Sequence, residues 1–154
     1  MADKRPVFAI NWAEVEALAQ GRHDNPHHIL GMHETVDGVY INAFIQGAEK
    51  VFAVCKNSKE RYELTSDRVK DFYSVKVPDR QSFVYYFEVE LINGTKKTII
   101  DPYAFEPVID PIDISKFNDG IHYEIYEKLG AHLCMLDGVK GVLFAVWAPH
   151  AVRV

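Results

Sequence analysis

The sequence predicts an all-β chain: an immunoglobulin-like β-sandwich with a short N-terminal helix, followed by the truncated start of a second β-sandwich. Three observations predict it. Between residues 39 and 100, short apolar or alternating runs are separated by turn residues, the signature of antiparallel strands. Composition shifts at Asp101, where Pro102, Pro107 and Pro111 come within a few residues and forbid a central strand. A pattern that opens at Leu30-Gly31-Met32-His33, with Asp37-Gly38-Val39 behind it, opens again at Leu129-Gly130-Ala131-His132, with Asp137-Gly138-Val139 behind it.

The first element is a helix. Asn11 can cap it, Glu14 stands at its capping-box position, and Ile10 with Val15 can form a hydrophobic staple. Gly21 is a natural stop. Trp12, Val15, Leu18 and Ala19 share one face at helical spacing, so the helix of about residues 11–20 should dock through that stripe. A polar, His-rich turn then leads to strands expected over 39–45, 50–55, 60–64, 72–77, 83–92 and 97–100. Asn93-Gly94 between the last two predicts a type I′ hairpin turn.

Beyond this sandwich, residues 1–107, a linker over 108–130 is expected to carry a short helix from His122 to Leu129, started by Asp119 and stopped by Gly130. Residues 131–154 are expected to hold the first strand or strands of the second sandwich. The repeat continues through Phe44 and Trp147, Ala48 and Ala151, then Val51 and Val154. Its period of about 100 residues is one sandwich domain, far longer than a solenoid repeat. Because the second copy stops about one strand in, the chain reads as truncated.

Composition excludes several classes. With 48% hydrophobic and 25% charged residues the chain is globular rather than disordered. Its 17 Lys and Arg are dispersed among 22 Asp and Glu, with no basic stripe to track phosphates, so nucleic acid is not expected as a partner. No apolar run reaches the roughly 20 residues of a membrane span, and Met1 to Pro6 precede no signal-peptide core. Cys55 and Cys134 stand far apart in apolar stretches and read as free thiols of a reducing compartment, which places the expectation in the cytoplasm.

Little in the sequence carries chemistry. His23, His27, His28 and His33 with Asp24 could be considered for a metal, but no recognised ligand spacing is present, and a solvated loop or turn-capping histidine is the better reading. Asp101, Asp110 and Asp113 lie in the Pro-rich stretch without an evident apolar pocket, and read as solvated. Phosphate-loop, nucleophile-elbow and zinc-protease motifs are lacking, so no catalytic, cofactor-binding or metal residue is assigned. Tyr85-Tyr86-Phe87 run consecutively, so strand alternation must turn one side outward.

Asn25-Pro26-His27, Leu30 to His33, Asp101-Pro102-Tyr103-Ala104-Phe105, Gly120-Ile121-His122, Tyr126 to His132 and Gly141 to Ala151 occur in one order along nearly the whole chain. In this the sequence closely resembles bacterial 1,4-α-glucan branching enzymes. One departure is His150, where that family commonly has Asn. The resemblance implies an N-terminal sandwich, a second sandwich of the glycogen-binding-module type opened by Ala145-Val146-Trp147-Ala148-Pro149, a catalytic (β/α)-barrel and a C-terminal β domain. It also implies glycogen biosynthesis: an α-1,4-glucan segment is transferred to form an α-1,6 branch. That retaining chemistry needs two carboxyl groups about 5 Å apart, on a barrel of about 250 residues, so none of its residues is carried over here.

What the resemblance leaves for this chain is a non-catalytic accessory module that positions glucan chains or braces the barrel. Its partners would be an α-glucan and its own downstream catalytic domain, and Tyr85, Tyr86 and Trp147 are the candidate glucan contacts. The alternatives are a packing module without carbohydrate ligand and a free-standing protein-interaction sandwich.

Overall fold

The computed structural model describes residues 9–66, 68–78, 81–105, 107–136, 138–148 and 151. The repeat positions Asp137 and Val154, and the departure at His150, lie outside them. The chain is mostly strand, with two short helices among the described residues. It divides into two units, one ending at Ala104 and one beginning at Phe105.

The first unit opens with α1 (Trp12–Ala19). The Asn11 side chain accepts the Ala13 N–H, and its amide donates to Glu14 at 3.0 Å. Glu14 therefore meets the cap's side chain rather than its backbone, and the expected box forms in a modified version. Seven strands come next among the described residues: β1 (Gly31–Thr35), β2 (Gly38–Phe44), β3 (Ala48–Cys55), β4 (Arg61–Leu64), β5 (Phe72–Pro78), β6 (Tyr85–Leu91) and β7 (Lys96–Ile99). They form two antiparallel sheets, β1-β2-β5 and β4-β3-β6-β7.

Alternation aims Val39, Ile41 and Ala43 of one sheet at Val51, Ala53, Phe87 and Val89 of the other, and these side chains are buried in one cluster. Each such aliphatic or aromatic side chain contributes roughly 1.5–3 kcal/mol on burial. Tyr73 ties the sheets further, donating its hydroxyl to the Ala48 carbonyl at 2.5 Å. A second cluster joins Val15 of α1, Ile29, Leu30 and Phe72, with Ile10, Trp12, Leu18 and Tyr103 packed around it. Helix α1 thus covers one end of the three-stranded sheet, where Trp12 meets Phe72 edge to face at 6.0 Å.

Two local features differ from expectation. Strand β1 escapes the sequence pattern because, at the edge of its sheet, it carries His33 and exposed Glu34 instead of an apolar run. The Asn93-Gly94 turn is not type I′: only Gly94 has positive φ, at 79°, and its N–H bonds the Leu91 carbonyl at 2.8 Å. Asn93 instead accepts the Thr95 N–H with its side chain at 3.0 Å, as in a three-residue loop closed by a glycine bulge.

In the second unit the helix lies earlier than the residue pattern suggests. It is α2 (Pro111–Asn118), and Asp119 is its C-terminal cap instead of a start. Residues 122–129 contain only a single 3-10 turn, Ile125–Glu127. Asp110 and Asp113 close a reciprocal capping box, and Pro111 occupies the first turn, where its missing N–H is harmless. A proline that reads as an interruption here initiates a helix. Asp113 also accepts from His122 at 2.8 Å and from the Lys128 ammonium, and these donors hold its carboxyl well below the usual carboxylate range, Lys128 contributing most. It is not a solvated linker residue. β8 (Gly130–Leu136) and β9 (Val139–Ala145) then form an antiparallel hairpin.

The repeat recurs in its turn, but its Asp-Gly-Val part does not keep register: Val39 pairs with Glu34, whereas Leu133, the counterpart of Glu34, pairs with Val142 and not with Val139. His28, Ile29 and Leu30 N–H donate to Asn25, Pro26 and Pro26 carbonyls at 3.1, 3.0 and 2.8 Å; Glu127, Lys128 and Leu129 donate to Glu124, Ile125 and Ile125 at 3.0, 3.0 and 2.8 Å. A glycine with positive φ stands after each turn, 94° at Gly31 and 104° at Gly130. His33 and His132 donate Nε2–H to the carbonyls of Ile29 and Leu129 at 2.9 and 2.8 Å. Burial holds the His33 imidazole below its ordinary pKa, which keeps it neutral.

The Asp113 knot makes a prediction about pH. A depressed carboxyl stabilises the fold above its unfolded value of about 3.9 and loses that contribution as pH falls through the lower folded value. Raised Lys128 behaves in the mirror sense, stabilising below its unfolded value of about 10.4 and failing above it. Amide-exchange protection of Ile114 to Asp119 should stay flat between those limits and fall outside them. Asp113→Asn should lower protection throughout the plateau; unchanged protection in that variant would remove the knot's role.

Candidate functional site

Two stretches far apart in sequence, around His27 to Gly31 and around Asp101 to Tyr103, meet where the chain leaves the first unit. Asp101 lies just beyond β7 and is only 2% exposed. It accepts the Tyr85 hydroxyl and, at 2.9 Å, the Tyr103 N–H. Burial raises its carboxyl above the ordinary range, opposed by those two donors and by nearby His27. The same burial, then the Asp101 charge, pushes the Tyr85 phenol up. Tyr103, in a 3-10 turn over Pro102–Ala104, lies against β1. A Cβ on Gly31 would stand 2.7 Å from the Tyr103 carbonyl oxygen, so glycine is required there by contact as well as by its φ of 94°. His27 meets the Tyr103 ring edge to face at 5.0 Å. Asn42, fully buried, donates to the Ile29 carbonyl at 2.8 Å and accepts from Ser74 at 2.7 Å, which fixes the turn beneath.

These contacts form a clamp. They hold the exit segment by a charged hydrogen-bonded group, a close backbone approach and a ring contact. The buried carboxylate takes its hydrogen bonds from the protein's own Tyr85 hydroxyl and Tyr103 N–H.

The outer face of the four-stranded sheet is the second candidate. Register lines up Arg61, Val54 and Tyr86 in one row and Glu63, Phe52, Glu88 and Thr98 in the next. Arg61 lies over the Phe52 ring at 4.4 Å and pairs with Glu88 at 2.8 Å, and Lys59 stands over Tyr86 at 5.7 Å. A shallow hollow is lined by Phe52, Arg61, Glu88, Lys96, Lys97 and Thr98. The protein's own cations therefore stand over the Phe52 and Tyr86 rings.

Of the sequence-predicted contacts, Tyr85 points into the core, 7% exposed, with its ring 5.4 Å from that of Phe87. Tyr86 points to the outer face. Trp147, 36% exposed, belongs to the second unit and packs on Phe117 at 4.7 Å. The structure does not bring Tyr85 and Tyr86 to one surface. Of the histidines, His23 and His28 both lie on the Glu14 carboxylate, at 3.8 and 3.1 Å, His23 also accepts the Asn25 N–H at 3.0 Å, and His27 and His33 are engaged with Tyr103 and the Ile29 carbonyl. Among the described residues no group of three or more His, Cys, Asp or Glu could hold a metal ion. Neither Cys55 nor Cys134 is in a disulfide. No described helix is long and apolar enough to cross a membrane.

Sequence reasoning missed Asp101 because a Pro-rich stretch reads as linker; the available signal was its Asp-Pro-Tyr-Ala-Phe motif. It missed Phe52 and Arg61 because neither belongs to a motif, although alternation along β3 alone turns Phe52 away from Val51 and Ala53.

Residues 11–103 match the family described as alpha-1,4-glucan branching enzyme GlgB, N-terminal domain. The chain is 36% identical, over 146 residues, to the 1,4-alpha-glucan branching enzyme GlgB of Thermosynechococcus vestitus, covering 92% of this chain and 19% of that protein. It is 34% identical over 154 residues to that of Agrobacterium fabrum, covering 99% and 21%. The chain thus spans about a fifth of the length of these relatives.

The clamp should be measurable by substitution. Asp101→Ala strands the buried Tyr85 hydroxyl and should destabilise the first unit by roughly 1–3 kcal/mol in urea unfolding. Tyr85→Phe should act in the same direction and raise the Asp101 carboxyl further. Because the folded-state value of Asp101 lies above its unfolded value of about 3.9, the folded protein takes up a proton as pH falls between the two. The wild type should therefore gain stability relative to Asp101→Asn across that window; a relative loss there would refute the assignment.

Proposed function

The chain belongs to the alpha-1,4-glucan branching enzyme GlgB N-terminal domain family, and on that premise we propose that it is the non-catalytic accessory region of a cytoplasmic 1,4-α-glucan branching enzyme. The parent enzyme transfers an α-1,4-glucan segment to form an α-1,6 branch in glycogen biosynthesis. Residues 1–107 are the module, 108–130 its linker and 131–154 the opening of a glycogen-binding-module-like sandwich. The module braces the catalytic domain by fixing the direction in which the chain leaves it.

One observation carries this reading. The motifs through which the first unit resembles the family, around His27, Gly31 and Asp101, converge on the exit clamp. A module selected to hold the downstream polypeptide would keep those residues. A module selected only for sugar would concentrate its distinctive residues on an open face.

The second reading, positioning of glucan chains, rests on the outer face that carries Tyr86 and the hollow beside Phe52. An aromatic ring beside an Arg–Glu pair offers both a stacking face and hydroxyl partners. For that use Arg61 must lift from Phe52.

Affinity electrophoresis in glycogen-containing gels separates the two. Bracing predicts mobility independent of glycogen, for the wild type and for Phe52→Ala and Tyr86→Ala alike. Retardation of the wild type that both substitutions abolish would replace bracing with glucan positioning.

A further inference from the structure

Asn93-Gly94 is the chain's one Asn-Gly pair. It stands at the tip between β6 and β7, and both residues are exposed. The Asn93 side-chain oxygen accepts the Thr95 N–H at 3.0 Å, which bends the amide back across the Gly94 peptide link in an Asx turn. Gly94 has no Cβ in the way, and apart from its chain neighbours no heavy atom lies within 4 Å of where one would be.

These are the parts of a cyclisation. Joining the Gly94 nitrogen to the Asn93 side-chain carbonyl carbon needs the two held together, and the charge that develops on the carbonyl oxygen needs a donor. The turn supplies the first by its shape and the second through the Thr95 N–H. One contact opposes it: the Gly94 N–H is bonded to the Leu91 carbonyl at 2.8 Å, so that bond must open before the nitrogen can attack.

The consequence would fall on β7. It is an edge strand whose Lys96, Lys97 and Thr98 are exposed, with Ile99 packed against the core cluster. Its register starts at the tip, where the Leu91 N–H meets the Thr95 carbonyl at 2.9 Å. Asp101 of the clamp follows two residues after it.

We infer that Asn93 is a site of spontaneous, one-way modification that yields aspartyl and isoaspartyl products, the second of which frees β7 from β6. The Gly94 nitrogen bonds to the side-chain carbonyl carbon, the bond from that carbon to the amide nitrogen breaks, and ammonia leaves with the proton lost from Gly94. Water then opens the cyclic imide at either carbonyl. Opening toward the isoaspartyl form routes the main chain through the former side chain, so the tip gains a carbon and can no longer close Leu91 onto Thr95. This inference stands apart from the choice between bracing and glucan positioning.

Incubation of the full 154-residue chain at mildly alkaline pH, followed by peptide mapping, an isoaspartyl methyltransferase assay and amide exchange, tests it. Asn93 should convert severalfold faster than exposed Asn57, which precedes Ser58, and faster still as pH rises, because the attacking nitrogen must shed its proton. In the isoaspartyl fraction, amide protection across β7 should fall by about tenfold while β3 keeps its own. Asn93→Asp, measured fresh, adds the charge without lengthening the tip and should leave β7 protected; Asn93→Gln, whose amide would have to close a larger ring, should stay unmodified. Retention of Asn93 in the folded chain under conditions that convert it in the urea-unfolded chain would overturn the inference. So would an isoaspartyl fraction with β7 protection unchanged, or an equal loss in Asn93→Asp.

Discussion

The hydrogen bond from Tyr85 to Asp101 is the constraint on which the first unit's construction depends. A carboxylate at 2% exposure is tolerable only if its charge is met by donors, and the two described for it are the Tyr85 hydroxyl and the Tyr103 N–H. Meeting that requirement places the exit segment against β1. Placing Tyr103 there in turn requires Gly31 without a Cβ. The turn before Gly31 must then be fixed, which Asn42 does from the neighbouring strand. The second apolar cluster, with Val15, Ile29, Leu30 and Phe72, is built around the same turn. Helix α1 is therefore the outer layer of an arrangement whose inner layer is the clamp.

A buried ionisable pair is seldom the most stabilising choice for its volume, since apolar replacement is often neutral or better. What it supplies here is direction. The sandwich core holds two sheets together through non-directional packing, whereas the clamp uses donors, acceptors and a close contact that tolerate one geometry. That division of labour is what the bracing role proposed above would use. The second unit repeats the turn and the positive-φ glycine at the entrance of the first, with a histidine held on a carbonyl four residues back at His33 and three residues back at His132.

Much of this fold was legible from residue order. Alternation marked β2, β3 and β5 nearly to the residue, because both sheets bury one face and period two results directly. Asn11 and its staple partners marked α1 correctly. The failures share one cause: side chains serving tertiary contacts look locally like something else. Asp101 looked solvated because its burial comes from β6 and β1, distant in sequence. Pro111 looked like a break because its role as a first-turn residue depends on Asp110 and Asp113 acting together. Tyr85 looked available to sugar because alternation says that one side of a strand faces out without saying which. The turn of the repeat, by contrast, was legible because its contacts are local, while Asp37-Gly38-Val39 does not match Asp137-Gly138-Val139 in register because the second hairpin is longer.

With Asp101 buried and Tyr103 seated on Gly31, the exit segment belongs to the sandwich's cooperative core. Native-state amide exchange of the Tyr103 N–H, measured at rising denaturant, tests this most directly. The clamp predicts that this amide opens only with the global unfolding that exposes Phe87 and Val51, at the same free energy and with the same denaturant dependence. Opening of Tyr103 at markedly lower free energy, with the β3 and β6 amides still protected, would contradict it.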